Sequence, residues 1–341
     1  MRVGRTMRWF LWPFSLVYEA VVRVRAWCYA HGVFRARRLP GTVISVGNLT
    51  VGGTGKTPLV LWIAERLAGE GKKTSILTRG YRAARGGSSR GEPQSDEIAL
   101  LRERLDGRVS LGVGADRFAT GMTLARHGTE WFVLDDGLQH LKLARDADIV
   151  MIDATEPFGG GMLLPAGRLR EPVSALQRAD VVVISRAVQA PSPALEAKIR
   201  RYTQRPVFYA RTELESVLRW PALKVAWPQQ DWRRGRLVAF CAIGNPSAFF
   251  SDLRGWGFQI AGERAFADHH AYTAKEAAQL EQLAERCSAD ALICTEKDAW
   301  NLRRVRFERV PVYCCRISLQ LPDEFSRALL DAAQKHAGAR T

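Results

Sequence analysis

With 341 residues, 47% of them hydrophobic, the chain has enough apolar material for two packed domains and is excluded from the disordered class. Its formal net charge of +15, from 50 Lys and Arg against 35 Asp and Glu, implies an anionic partner: nucleic acid, acidic lipid or a phosphorylated substrate. Six cysteines, Cys28, Cys241, Cys287, Cys294, Cys314 and Cys315, form no C-x-x-C pair, and half lie in apolar strand-like runs; they read as small buried residues in a reducing compartment, not as a disulfide or zinc framework.

No cleavable secretory pattern opens the chain, so a cytoplasm-facing protein is expected. The first predicted element covers Arg8 to Tyr29. At 100° per residue, Phe10, Phe14, Val17, Val21, Val24 and Cys28 share one side. Arg8, Ser15, Glu19 and Arg23 take the other, with Trp9, Leu16 and Trp27 along a flank. Charges interrupt it too often for a spanning helix, which needs about 20 mostly apolar residues. Two placements fit the pattern: in the plane of a membrane interface, aided by the basic cluster Arg35, Arg37 and Arg38, or against the protein's own core.

The β-branched run Thr42 to Val46 and the apolar-periodic segment Leu59 to Leu67 flank V-G-N-L-T-V-G-G-T-G-K-T-P, Val46 to Pro58. Strand, glycine-rich loop and helix in that order make a polyphosphate cradle. Its binding stretch is Thr50, Val51, Gly52, Gly53, Thr54, Gly55, Lys56 and Thr57. The glycines let backbone amides converge on phosphate oxygens, Lys56 reaches the β and γ phosphates, and the Thr57 hydroxyl serves a magnesium ion. In the general pattern G-x-x-x-x-G-K-[ST] the first glycine falls at Thr50, whereas here a glycine stands at Gly47.

Lys72 to Thr78 reads as a second strand, followed by R-G-Y-R and a glycine-, serine- and arginine-rich loop to Gln94. Ser95 is a plausible helix cap, which puts Asp96 and Glu97 in a first turn, where a carboxylate also suits the helix dipole. By pattern alone Arg117 is a surface arginine. Trp131 to Leu134 is a buried strand ending at Asp135 and Asp136, the position at which folds of this kind hold magnesium or its waters. Ile149 to Ile152 and Val181 to Ile184 continue a mostly parallel sheet covered on both faces. Between them, L-L-P-A-G-R-L-R-E-P, Leu163 to Pro172, projects Arg168, Arg170 and Glu171 from a bend, suited to a phosphate but equally normal for a solvated loop.

A boundary is expected between about Arg211 and Arg236, after which Leu237 to Ile243 restarts the strand rhythm. Then come G-N-P, Asp268, His269 and His270, a helix from Thr273, and the strand Ala291 to Cys294 ending in T-E-K-D. Neighbouring histidines in an extended chain point to opposite sides and make no metal site. Two non-kinase readings stay open at this level: a P-loop ATPase acting as a switch, and a nucleic-acid-binding ATPase explained by charge. No guanine reader of the N-K-x-D kind follows the strand at Ser185 and Arg186, and no interleaved aromatic and basic motif appears.

Taken together and in order, V-G-N-L-T-V-G-G-T-G-K-T-P, R-G-Y, S-D-E, V-L-D-D-G-L-Q-H, L-P-A-G-R-L-R-E, F-C-A-I-G-N-P, A-D-H-H and T-E-K-D-A resemble the tetraacyldisaccharide 4'-kinase family of lipid A biosynthesis. The resemblance implies an α/β fold of two α/β/α sandwich domains, the first P-loop NTPase-like with a mostly parallel sheet, preceded by an amphipathic N-terminal helix. The expected division is 1–38 membrane-interface helix and basic segment, 39–215 kinase domain, 216–236 linker and 237–341 smaller α/β domain. It further implies ATP and magnesium as cofactors, a tetraacyldisaccharide 1-phosphate as lipid substrate, and the cytoplasmic face of the bacterial inner membrane as location, peripheral or monotopic. No nucleic acid and no obligate protein partner are expected. The departure at Thr50 is typical of the family.

Carried over by residue, Lys56 is similar to the phosphate lysine, Thr57 to a metal ligand, and Asp135 and Asp136 to the acidic pair serving that metal. Asp96 resembles the catalytic base, partnered by His269 from the second domain and supported by Glu97. Arg117, Gln139, His140, Arg170 and Glu171 resemble residues set around the phosphates and the lipid.

Overall fold

The computed structural model describes residues 5–80, 96–105, 107–187, 192–227 and 235–338. The chain begins with α1 (Arg5–Ala30), β1 (Thr42–Asn48), α2 (Lys56–Gly69), β2 (Thr74–Thr78), α3 (Asp96–Leu105) and β3 (Ser110–Val113). It continues through α4 (Arg117–Arg126), β4 (Trp131–Asp135), β5 (Ala147–Asp153), β6 (Val181–Ser185), α5 (Pro193–Arg200), β7 (Val207–Arg219) and β8 (Lys224–Trp227). The rest is β9 (Arg236–Cys241), α6 (Pro246–Gly255), β10 (Gln259–Ala265), α7 (Ala274–Arg286), β11 (Ala291–Thr295), α8 (Glu296–Asn301), β12 (Val312–Gln320) and α9 (Asp323–Gly338). These elements form two compact units.

The first unit is built on a parallel sheet in the order β7–β6–β5–β1–β4–β2–β3, to which β7 contributes its opening residues. β1, β5, β6 and β2 are apolar runs, and almost all their residues are buried, because helices cover a parallel sheet on both faces. On α2, Leu59, Val60, Ile63, Ala64 and Leu67 are buried, while Pro58 sits in the first turn, where a missing N–H costs nothing. α9 belongs to this unit as well. Its Phe325, fully buried, meets the rings of Trp62 and Phe208 edge-on at centroid distances of 5.4 and 5.5 Å.

In the second unit, β10, β9, β11 and β12 run parallel, and β8 pairs antiparallel with the last residues of β7. Alternate residues of one strand enter different cores. Leu237, Ala239 and Cys241 join Ala291, Ile293, Tyr313 and Cys315 in one cluster, whereas Val238, Phe240 and Ala242 join Leu292, Cys294, Val312 and Cys314 in another. Side chains of period two buried on both sides define an α/β/α sandwich. Cys241, Cys294, Cys314 and Cys315 are thus small apolar sheet residues.

Three features differ from the linear division expected of the sequence. Helix α3 groups with the second unit, α9 with the first, and the stretch expected as a linker from 216 carries the end of β7 and all of β8. The physical reasons are long-range. Arg104 of α3 bonds Glu215, Glu296 and the Ile317 carbonyl, and α9 is held by the Phe325 ring contacts. The β7 rhythm is obscured in sequence because Arg211, Glu213 and Glu215 occupy its exposed positions.

Gly47 has a packing role. A Cβ there would lie 2.5 Å from the Leu138 Cβ and 2.7 Å from the Leu138 nitrogen, so β1 and the turn after β4 touch only through glycine. Gly47→Ala is expected to cost about 1–3 kcal/mol through overpacking, read as a lower urea midpoint with unchanged slope. An unshifted midpoint would contradict this contact.

Candidate active site

Four neighbouring parallel strands deliver polar residues at their carboxyl ends: Asn48 from β1, Asp135 from β4, Asp153 from β5 and Ser185 from β6. That edge is where open α/β sheets bind ligands. Between β1 and α2 the chain takes left-handed turns at Gly52 (φ 122°) and Gly55 (φ 82°). No side chain caps the start of α2, so its first N–H groups are placed for an anion.

The loop carbonyls are held from outside. Arg168 donates to the Val51 carbonyl through Nε and Nη2 at 3.1 and 2.8 Å, and the Val51 N–H returns a bond to the Arg168 carbonyl at 2.7 Å. Thr50 pairs with Leu169 as an antiparallel bridge. The Gly53 carbonyl accepts from Arg186 at 2.8 Å, and the Thr54 carbonyl accepts from the Ser185 hydroxyl at 3.0 Å. A Cβ at Gly52 would fall on the Arg168 guanidinium. Asn48, Ser185 and Arg186 therefore brace the loop without having been singled out for it by sequence, whereas Arg168 comes from the bend read as suited to a phosphate or to solvent. The signal was spacing: each sits at a strand end or in the P-A-G-R bend.

Lys56 lies within 3.1 Å of Asn48 Oδ1 and 3.4 Å of Asp136 Oδ1. Arg170 grips Asp136 with two 2.8 Å bonds, one to each carboxylate oxygen, and also bonds the Asn48 side chain. Burial opposes the Asp136 charge, but the Arg170 hydrogen bonds and the Lys56 charge outweigh it and hold the carboxyl well below its usual range. Asp135 is buried and accepts from the Thr78 hydroxyl at 3.2 Å. Thr57, Asp135 and Asp136 offer only oxygen donors, the chemistry a magnesium ion prefers.

Arg117 is not the surface residue its pattern suggests. It is buried and donates to the Asp135 carbonyl at 3.0 Å, bracing the end of β4. Gln139 Nε2 bonds the Asn48 carbonyl at 3.1 Å and Glu171 at 3.0 Å, and Glu171, buried, also takes a 2.7 Å bond from Arg178. These groups are committed to one another and to the ends of β1 and β4.

α1 bonds the backbone of the same segments. Ser15, only 5% exposed, donates to the Leu163 carbonyl and accepts from the Ala166 N–H, both at 3.0 Å. Tyr18 donates to the Arg170 carbonyl and Arg25 to the Gln139 carbonyl, again at 3.0 Å. The opposite side carries Phe10, Phe14 and Val17, exposed by 75%, 58% and 65%. The apolar stripe therefore faces outward, the reverse of a helix packed on its own core. Of the basic cluster, Arg37 pairs with Asp116 and stacks on Phe118, and Arg38 pairs with Asp146 at 2.9 Å, so both are engaged within the protein.

The other expected catalytic residues lie in the second unit. Asp96 opens α3, but its side chain, like the expected cap Ser95, lies outside the described residues. Glu97 is 3.5 Å from Lys297, and Lys297 is 3.3 Å from His269 Nε2. His269 has a left-handed backbone (φ 59°) and donates its N–H to the Ala242 carbonyl. His270 is engaged elsewhere, with Glu276 at 2.8 Å and against the Phe266 ring.

The sequence profile of the tetraacyldisaccharide-1-P 4'-kinase family matches residues 7–334. The chain belongs to this family. It is 39% identical over 325 residues to the tetraacyldisaccharide 4'-kinase of Geobacter metallireducens, covering 91% of this chain and 93% of the relative. Identity to the Pelobacter propionicus kinase is 37% over 352 residues, 97% of this chain and 94% of the relative. Among solved structures, the Aquifex aeolicus LpxK in complex with ATP matches with a TM-score of 0.73 at 29% identity, over 96% of this chain and 99% of that one. Like other members of the tetraacyldisaccharide-1-P 4'-kinase family, the chain is a phosphotransferase.

His140 has a pH signature. Burial, then the charges of Arg117, Arg145, Arg25 and Lys142, lower the His140 pKa from 6.5 to about 4, so the ring is neutral at pH 7. Below 6.5 the unfolded chain takes up a proton that the folded chain refuses until about 4, so this histidine withdraws stability as pH falls across that window. His140→Gln should flatten that part of the stability–pH curve, and an NMR titration should place His140 near 4. A midpoint at 6.5 would refute the assignment.

Proposed function

We propose that this kinase transfers the γ-phosphoryl group of ATP to the 4'-hydroxyl of tetraacyldisaccharide 1-phosphate, giving lipid IVA, at the cytoplasmic face of the inner membrane. The observation that carries the reading is a complete phosphate loop, braced at the strand ends, in a chain matched by the family over residues 7–334. Thr50 to Thr57 hold the ATP phosphates, with Lys56 on the β and γ groups. Thr57, Asp135 and Asp136 hold a magnesium ion, which when bound offsets charge on the transferring phosphoryl group. Arg170, Arg117, Gln139, His140, Glu97 and Glu171 shape the surroundings of the phosphates and the lipid headgroup.

A sugar hydroxyl attacks poorly until its proton has an acceptor. Asp96 takes that proton as the 4'-oxygen bonds to the γ-phosphorus and the bond to ADP breaks, and His269 keeps the carboxylate oriented. With γ-labelled ATP and tetraacyldisaccharide 1-phosphate, label should appear in the lipid. Asp96→Ala and His269→Ala should each lower turnover by about 100-fold or more while ATP still binds. Near-normal turnover in both would reject the pair, and a folded, ATP-binding protein that leaves the lipid unlabelled would reject the substrate.

α1 gives the enzyme its access to a lipid. Among the described residues no helix is long and apolar enough to cross a membrane. The outward stripe of α1 suits the interfacial plane instead, with the inward side bonded to the Leu163, Arg170 and Gln139 carbonyls. Replacing Phe10, Phe14 and Val17 by serine leaves those inward bonds in place and should abolish most flotation with vesicles containing anionic lipid. Full flotation of the triple variant would rule the membrane role out.

A further inference from the structure

The turn that follows β5, D-A-T-E at 153–156, has no part in the transfer step described above, yet its two carboxylates each hold an arginine that grips the phosphate loop. Asp153, buried at the strand end, takes the Arg186 guanidinium on Oδ2. Its Oδ1 accepts the Thr155 N–H at 2.9 Å and the Thr155 hydroxyl at 2.6 Å, which closes the turn. Glu156, three residues on, pairs with Arg168 Nη1. Arg186 then donates to the Gly53 carbonyl at 2.8 Å, and Arg168 to the Val51 carbonyl through Nε and Nη2.

A carbonyl held in this way fixes its neighbour as well. In a trans peptide the C=O of one residue and the N–H of the next share a plane and point in opposite directions. With the Val51, Gly53 and Thr54 carbonyls turned onto Arg168, Arg186 and Ser185, the N–H groups of Gly52, Thr54 and Gly55 are aimed the other way. Backbone N–H groups are the donors with which a glycine-rich loop holds phosphate oxygens. Backbone geometry marks both contacts. Arg186 leaves β6 with a left-handed backbone, φ 57°, which an L residue keeps only where its surroundings hold it, and Gly52 lies so close to Arg168 that a Cβ would fall on the guanidinium.

We propose that the 153–156 turn, acting through Arg186 and Arg168, is a positioning device for the nucleotide that presets the peptide directions of the phosphate loop. The proposal rests on the reading of Thr50 to Thr57 as the ATP loop. The two arginines work differently. Arg186 serves both the Gly53 carbonyl and Asp153 with Nη1 alone, which a lysine ammonium could also do. Arg168 spreads its bonds over Nε, Nη1 and Nη2, which only a planar fork can match.

The test on the full-length protein combines ATP calorimetry, lipid-transfer kinetics and carbonyl-carbon NMR of Val51 and Gly53 without nucleotide. Arg186→Met and Arg168→Met should each raise the ATP Kd about tenfold, with the loss read mainly in KM for ATP. The first should shift the Gly53 carbonyl signal and the second that of Val51. Arg186→Lys should recover most of the affinity, whereas Arg168→Lys should recover little. Glu156→Gln should raise the Kd about threefold alone and add nothing in the Arg168→Met background, because it acts through that arginine. Glu156→Gln and Arg186→Lys carry the test if the methionine variants do not fold. Native ATP affinity in both methionine variants, unmoved carbonyl signals, equal rescue by lysine at the two positions, or an additive effect of Glu156→Gln would each overturn the proposal. A native protein that does not bind ATP would instead remove the reading of the loop, and the carbonyl signals would then decide whether the arginines set its peptides.

Discussion

The double hydrogen bond from Arg170 to Asp136 is the contact on which the carboxyl edge of the first unit's sheet depends. Through one guanidinium it joins the P-A-G-R-L-R-E bend to the strand-end acids and to Asn48, and through Asp136 it reaches Lys56. Without it the phosphate lysine would face a carboxylate free to collapse onto it, and the bend would lose its anchor beside the loop. Charge-assisted, two-pronged pairing gives direction as well as energy, which is what a phosphate cradle needs before any nucleotide arrives.

That same arginine is gripped from the far side by α1, because Tyr18 bonds its carbonyl. The helix that presents Phe10, Phe14 and Val17 outward is thus one covalent residue away from the phosphate clamp. In the proposed interfacial placement lipid would fix the helix, and its polar inner side would back a site that meets a lipid headgroup.

The second unit repeats the logic with different chemistry. A buried aspartate, Asp298, accepts from the Ala242 N–H, and the Ala242 carbonyl takes the His269 N–H, while the Lys297 ammonium lies 3.3 Å from the His269 ring. Nothing in the composition of T-E-K-D separates its capping residues from the other two. Capping boxes are common at helix starts, and only the folded register shows that Thr295 and Asp298 are spent on the helix while Lys297 is not.

The sequence by itself determined the phosphate loop, the parallel strands and the order of the family's motifs, because a loop and its flanking strand and helix are local in the chain and glycine, lysine and β-branched residues report local backbone needs. The aspartates at the end of β4 were legible for the same reason. Tertiary structure alone decided which way α1 faces, since its periodicity names two sides but not the neighbour. It likewise buried Arg117, committed Glu171 to Arg178 and Gln139, and drew Arg37 and Arg38 to acids far along the chain. It also set α3 with the second unit and α9 with the first, which no linear division foresees, because those placements rest on pairs such as Arg104 with Glu296 and Trp62 with Phe325. Local chemistry is written in neighbouring residues, whereas burial and ion pairing are properties of distant residues brought together.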